Sequence, residues 1–168
     1  MQRAVRASGC AAEQLRTSTA LGKVRYDEAM ETWQPIGKHR IRIEGDLIFV
    51  RAQGEITGPE VIVLCEHMLK VQQQYGWVFE IVDAHSAGAM SVEARRQNAQ
   101  WYRSHQLDVE AVVFGSSFVT RTLFTLFINA VRLLGSSQAR VHFVASEAEA
   151  RALVERRRQQ KIAATAAS

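Results

Sequence analysis

Cysteine is nearly missing from this 168-residue chain, which has only Cys10 and Cys65, and these two form no metal-ligand or redox spacing. A disulfide scaffold is excluded, and a reducing compartment is expected. Proline is equally scarce, with two against ten glycines, and aromatic residues make up 8%, so a collagen-like or low-complexity fibre does not fit. No uninterrupted apolar run approaches the roughly 20 residues that cross a bilayer, and the first residues lack the apolar stretch of a secretory signal. The expected location is the cytoplasm, with no transmembrane segment.

Several kinds of enzymatic equipment are missing too. There is no Gly-rich phosphate loop ending in Lys-Ser/Thr, no GxGxxG after a strand and no GxSxG. The histidines, His39, His67, His85, His105 and His142, are scattered, without a helical pair or Cys/His spacing. No metal and no cofactor is expected, and the prior for an enzyme falls. What remains is 47% hydrophobic and 23% charged, the composition of one ordinary globular domain.

The formal net charge is +4, but its placement argues against nucleic acid as a partner. Residues 1–29 carry five Lys/Arg against three Asp/Glu, residues 151–168 carry five against one, and the stretch between them carries eleven against thirteen. A nucleic-acid-binding domain concentrates basic residues on the folded unit, whereas here they sit at the ends. The cluster Arg156, Arg157, Arg158 and Lys161 reads as a solvated helix end, with cations opposing the negative end of the helix dipole.

Three segments are expected: a flexible extension over 1–35, a domain over 36–158 and a tail over 159–168. The extension mixes arginines with Ser, Thr and Ala without a hydrophobic period, faintly like an organelle-targeting peptide; translation from Met30 is a competing reading. Within the domain, alternation over His39–Glu44, a Gly45-Asp46 turn and the return over Leu47–Ala52 predict a hairpin. Helical spacing from Gly58-Pro59 to Gly76 follows, with Val61, Ile62, Leu64, Cys65, Met68, Leu69 and Tyr75 on one side. Trp77–Val82 reads as a buried strand, Ala84–Met90 as a loop, and Val92–His105 as a helix capped by Ser91. A buried strand over Val109–Phe114, a helix over Phe118–Leu134 ending at Gly135, a strand over Arg140–Val144 and a helix from Ser146 to about Arg158 complete the order ββαβαβαβα. That order implies an α/β fold with a mainly parallel central sheet, an N-terminal hairpin and packed helices.

Three surfaces are candidates for function. The first is Asp83, His85 and Ser86 after the central strand, where strand ends meet helix N-termini; Ser86 is a candidate phosphosite. The second is the weakly apolar helix carrying Arg95, Asn98, Trp101 and Tyr102, which reads either as sheet cover or as the rim of a ligand or partner site. The third is the apolar arc around Phe124, Phe127 and Ile128, wider than a one-sided core helix needs; deep packing, a homodimer contact, an acyl groove and peripheral membrane contact all remain open.

The strand Val78-Phe-Glu-Ile-Val-Asp83 with its Ser-containing continuation, the segment Val112-Val-Phe-Gly-Ser-Ser-Phe118 and the closing Val141-His-Phe-Val-Ala-Ser-Glu-Ala-Glu-Ala-Arg-Ala-Leu153 resemble a SpoIIAA-like protein of the STAS/CRAL-TRIO kind over residues 36–158. The resemblance implies a small bacterial cytosolic domain that binds or regulates. In its anti-anti-sigma branch a Ser in an Asp-Ser-Ser-Gly context is phosphorylated, whereas here Asp83-Ala-His-Ser86-Ala-Gly88 is two residues longer. The CRAL-TRIO side implies an apolar ligand. The leading expectation is a non-enzymatic module recognising a protein partner or a hydrophobic small molecule. A lipid or acyl-ligand carrier and an enzyme using Asp83, His85 and His105 as acid/base groups are the alternatives.

Overall fold

The computed structural model describes residues 32–117 and 139–167, together with Arg121, Thr122, Thr125 and Asn129. Gly45 takes a left-handed φ of 61° and turns the chain so that Glu44 pairs with Leu47, joining strand β2 (His39–Glu44) to β3 (Leu47–Ile56). A three-residue strand ahead of them, β1 (Gln34–Ile36), pairs antiparallel with β2. The sheet therefore starts before residue 36, and Trp33 packs edge-on to Phe49 at 5.4 Å. The rest of the expected extension, residues 1–31, lies outside the described residues.

From β3 the chain steps one strand at a time through β4 (Val78–Met90), β5 (Val109–Phe114) and β6 (Arg140–Phe143), all parallel, so the six strands lie in chain order. Steps in one direction with right-handed crossovers place the connecting helices on one face. Helices α1 (Gly58–Tyr75) and α2 (Val92–Ser104) both lie there, and Met68, Val71 and Tyr102 pack against Ile41, Val50, Val78, Val82 and Val113. The opposite face holds Leu47, Phe49, Phe79, Ile81, Val112 and Phe114, packed against Ala150 and Val154 of α3 (Glu147–Ala166). This is the expected α/β architecture with a mainly parallel sheet.

Three expectations need correction. The loop expected over Ala84–Met90 is the second half of β4, hydrogen-bonded alongside a β3 that runs on to Ile56; Gln53 pairs with Ser86 and Ile56 with Met90, with register shifts between them. Small residues read as a loop, but here they permit close approach: a Cβ on Gly88 would stand 2.7 Å from the Gly54 carbonyl carbon. The tail expected over 159–168 is helical through Ala166.

The basic cluster, in turn, is solvated at Arg156, which is exposed, but not at its other three members. Arg158 binds Asp46 through Nη2 at 2.6 Å and Nε at 3.0 Å, and Arg157 Nε stands 2.7 Å from Glu110. Lys161 reaches Asp108, and Arg151 grips Glu44 with two bonds of 2.9 and 3.2 Å. Only Ala150 and Val154 of α3 are buried, so its charges do much of the docking. The helix expected over Phe118–Leu134, with Phe124, Phe127 and Ile128, falls outside the described residues apart from the helical Arg121, Thr122, Thr125 and Asn129.

Candidate functional site

Two acids stand in the middle of strands that are otherwise apolar, Glu80 in Val78-Phe-Glu-Ile-Val and Glu110 in Val109-Glu-Ala-Val-Val. Phe79 is level with Glu110 and Glu80 with Ala111, so strand alternation aims the two carboxyls at opposite faces. Glu110, 1% exposed, faces α3 and has three basic side chains around it, with Arg157 at 2.7 Å, His142 at 2.9 Å and Arg140 at 3.8 Å. Glu80, 9% exposed, faces α1 and α2 and has no basic partner among the described residues. Burial alone pushes its carboxyl up to about 7.

Glu80 lies on the wall of a cavity of about 90 Å³ between this sheet face and the two helices. Most of the lining is apolar, with Ile41, Val50 and Val82 from the strands and Val61, Leu64 and Met68 from α1. Cys65 of α1 and Asn98 and Tyr102 of α2 supply further polar atoms. These are already committed to weak local bonds: Cys65 Sγ donates to Asn98 Oδ1 at 3.6 Å and Tyr102 Oη to Met68 Sδ at 3.9 Å. Burial pushes the Cys65 thiol up to about 12, reinforced by the charges of Glu80 and Glu66, so it is not a thiolate nucleophile. Burial and the same Glu80 charge raise Tyr102 well above the usual phenol range.

The start of α1 closes one end of this cavity. Thr57 donates to Glu60 Oε2 through N at 2.8 Å and Oγ1 at 2.6 Å, and Lys38 N donates to Oε1 at 3.3 Å. Burial raises the Glu60 carboxyl, but the Thr57 and Lys38 donors and the nearby His39 outweigh it and hold the group at about 2. His39 is itself buried, accepts from Gln53 N at 2.9 Å and stands 3.4 Å from Glu60.

The sequence-predicted surfaces are redistributed. On α2, Ser91 caps the helix as expected, accepting from Ala94 N at 3.0 Å. Asn98 and Tyr102 form cavity wall, Trp101 stacks on His105 at 4.3 Å, and Arg95 is exposed, so the four residues do not make one rim. On β4, Asp83 Oδ1 meets His85 Nδ1 at 2.8 Å and accepts from His85 N at 3.2 Å, with the imidazole edge-on to Phe114 at 5.6 Å. Ser86 beside them is exposed. His105 ends α2, which returns the chain to the amino end of β5, whereas Asp83 is level with Phe114 at that strand's carboxyl end; the acid/base trio is not assembled. Among the described residues no group of three or more His, Cys, Asp or Glu is placed to hold a metal ion, and no helix is long and apolar enough to cross a membrane.

The chain is similar in fold to SpoIIAA. The unphosphorylated form of the anti-sigma factor antagonist SpoIIAA matches at 11% identity and a TM-score of 0.44, over 76% of this chain and 98% of that one. The phosphorylated form of the Bacillus cell fate determinant SpoIIAA matches at 13% identity and a TM-score of 0.41, over 73% and 99%. No family model matches the chain, and no curated protein matches it significantly. Glu80, the residue that defines the cavity's chemistry, was not among the sequence-predicted site residues. Its signal was present as a lone acid in a strand otherwise suited to burial on both faces.

Proposed function

We propose that this chain is a binding module that takes an apolar small molecule into the cavity beneath α1 and α2 and does no chemistry on it. The observation that carries this reading is the apolar-lined space itself, held between a sheet and two helices that otherwise pack closely. At about 90 Å³ it falls well short of the roughly 300 Å³ at which pockets for drug-sized ligands begin, which favours an occupant of few heavy atoms over a long acyl chain. The Cys65 thiol is held high, the imidazole of the Asp83–His85 pair is 65% exposed, and the wall's own acid and base, Glu60 and His39, are engaged by the backbone N–H groups of Thr57, Lys38 and Gln53, which supports binding over acid/base chemistry. Native mass spectrometry of protein isolated from its own host, with Ala111→Leu as a cavity-filling control, tests the reading. A retained small molecule that is lost in the variant supports it; repeated recovery of the bare chain, with no thermal stabilisation by short alcohols or hydrocarbons, overturns it.

The exposed Ser86 supports a second role, recognition of a protein partner switched by phosphorylation. A phosphate there would add negative charge next to the Asp83 carboxylate and so remodel a surface already holding the Asp83–His85 contact. The check is a mass increment on Ser86 in growing cells together with a changed partner set for Ser86→Asp; unmodified Ser86 under every growth condition sampled refutes it.

A further inference from the structure

We propose that the cavity selects a small alkylammonium ion, with its hydrocarbon part against Val61, Leu64 and Met68 and its N–H donors on the Glu80 carboxyl. The inference rests on the reading of the cavity as a small-molecule site and adds the charge of its occupant. Three observations lead to it. Glu80 is nine-tenths buried, lies on the cavity wall and receives no hydrogen bond from any described residue, whereas the comparably buried Glu110 of the neighbouring strand is ringed by three basic side chains. A buried carboxyl without a partner is costly, and a ligand that brings N–H donors and a positive charge removes that cost.

The second observation is the charge balance of the wall. Its other ionisable groups are His39 of β2, Glu60 and Cys65 of α1, Tyr102 of α2 and Arg140 of β6. Cys65 and Tyr102 are held neutral, and Glu60 is held ionised by its own donors. Arg140 is drawn to Glu110 at 3.8 Å, and His39 to Glu60 at 3.4 Å. The wall therefore offers an unmatched acid, and a buried nitrogen without a hydrogen bond, His39 Nε2, that already faces the Glu60 carboxylate, which disfavours an anion and favours a cation. The third is size: an apolar cavity of roughly 150 Å³ takes benzene, so about 90 Å³ suits a chain of three or four carbons with one polar head.

The test is titration of the full chain with n-butylammonium, 1-butanol and butyrate, followed by amide NMR shifts at pH 8 and pH 5.5, for the wild type and Glu80→Gln. At pH 8 the wild type is expected to bind butylammonium about tenfold or more tightly than 1-butanol, the order expected of a charge-assisted hydrogen bond. That preference should disappear in Glu80→Gln and shrink at pH 5.5, where Glu80 holds its proton; the variant measured at both pH values separates Glu80 from His39. Tighter binding of butyrate, equal binding of amine and alcohol at pH 8, or a preference that survives in Glu80→Gln overturns the selection while leaving the small-molecule reading intact. Binding of none of the three probes overturns both. If Glu80→Gln does not fold, the wild-type comparison across pH and between probes still decides the matter.

Discussion

Replacing Glu80 by Gln is expected to stabilise the protein at pH 8 and to change little near pH 4.5. The unfolded chain releases the Glu80 proton near the ordinary 4.5, whereas burial in the fold holds it to about 7. Between those values the native state keeps a proton that the unfolded state has lost, so stability falls as pH rises through this window. A difference of that size corresponds to about 3 kcal/mol, fully felt above pH 7 and absent below 4.5. Glutamine keeps the size and the polar head but cannot ionise, so the variant escapes this loss. Urea denaturation followed by tryptophan fluorescence, for both proteins at pH 4.5, 6 and 8, isolates the effect, because every other titrating group is common to the pair. A gap between the two that does not widen with pH would refute the reasoning, since it would mean that Glu80 is solvated or paired in the fold.

Three further outcomes are expected. Arg158→Met should cost about 2 kcal/mol in urea denaturation, because it strips the carboxylate of Asp46, 7% exposed, of three charged hydrogen bonds and leaves that carboxylate the 2.8 Å bond from Trp77 Nε1; a loss below about 0.5 kcal/mol would show the pair to be a surface contact. Gly88→Ala should cost about 2 kcal/mol or more and loosen the end of the β3–β4 ladder, seen as faster amide exchange at Ser91, whose N–H bonds Ile56 O at 3.0 Å; unchanged exchange would contradict the close approach. Glu60→Ala should cost about 1 kcal/mol near neutral pH by dismantling the Thr57 cap. Because folding lowers the Glu60 pKa, the ionised group's contribution is present above 4.5 and fades as pH falls toward about 2, so the gap measured by denaturation should narrow in acid.

Much of the fold was legible because local signals agreed with tertiary placement. The Gly45-Asp46 turn, Pro59 near the start of α1, Gly76 at its end with a φ of 86°, and Ser91 and Ser146 as caps all fall where the spacing put them. Val71, fully buried on α1, was passed over because it lies at the margin of the apolar stripe. The far half of β4 was not legible: Ala, Ser and Gly carry little strand propensity, and what makes them a strand is the backbone of Gly54 and Glu55 beside them. The docking of α3 was hidden for a similar reason. Arg157, Arg158 and Lys161 look solvated in one dimension, and their acids, Glu110, Asp46 and Asp108, lie roughly fifty to more than one hundred positions away in the chain. Of the cavity wall, Asn98 and Tyr102 stand among the candidates read from α2, whereas Glu80 shows in the sequence only as a lone acid in an apolar strand, and its place beside them depends on the packing of α1 and α2 over the sheet.

The two faces of the sheet are closed by different forces, and this separates them in time as well as in space. Helix α3 is the last described element, buries two small apolar side chains, sets Leu153 partly against the same cluster and is otherwise fastened largely by exchangeable charges. In native-state hydrogen exchange it should therefore open as its own unit, earlier and more readily in concentrated salt than α1 or α2. Each opening would bare the aromatic rings of Phe49, Phe79 and Phe114 together, making that face the point at which two partly opened chains would first adhere.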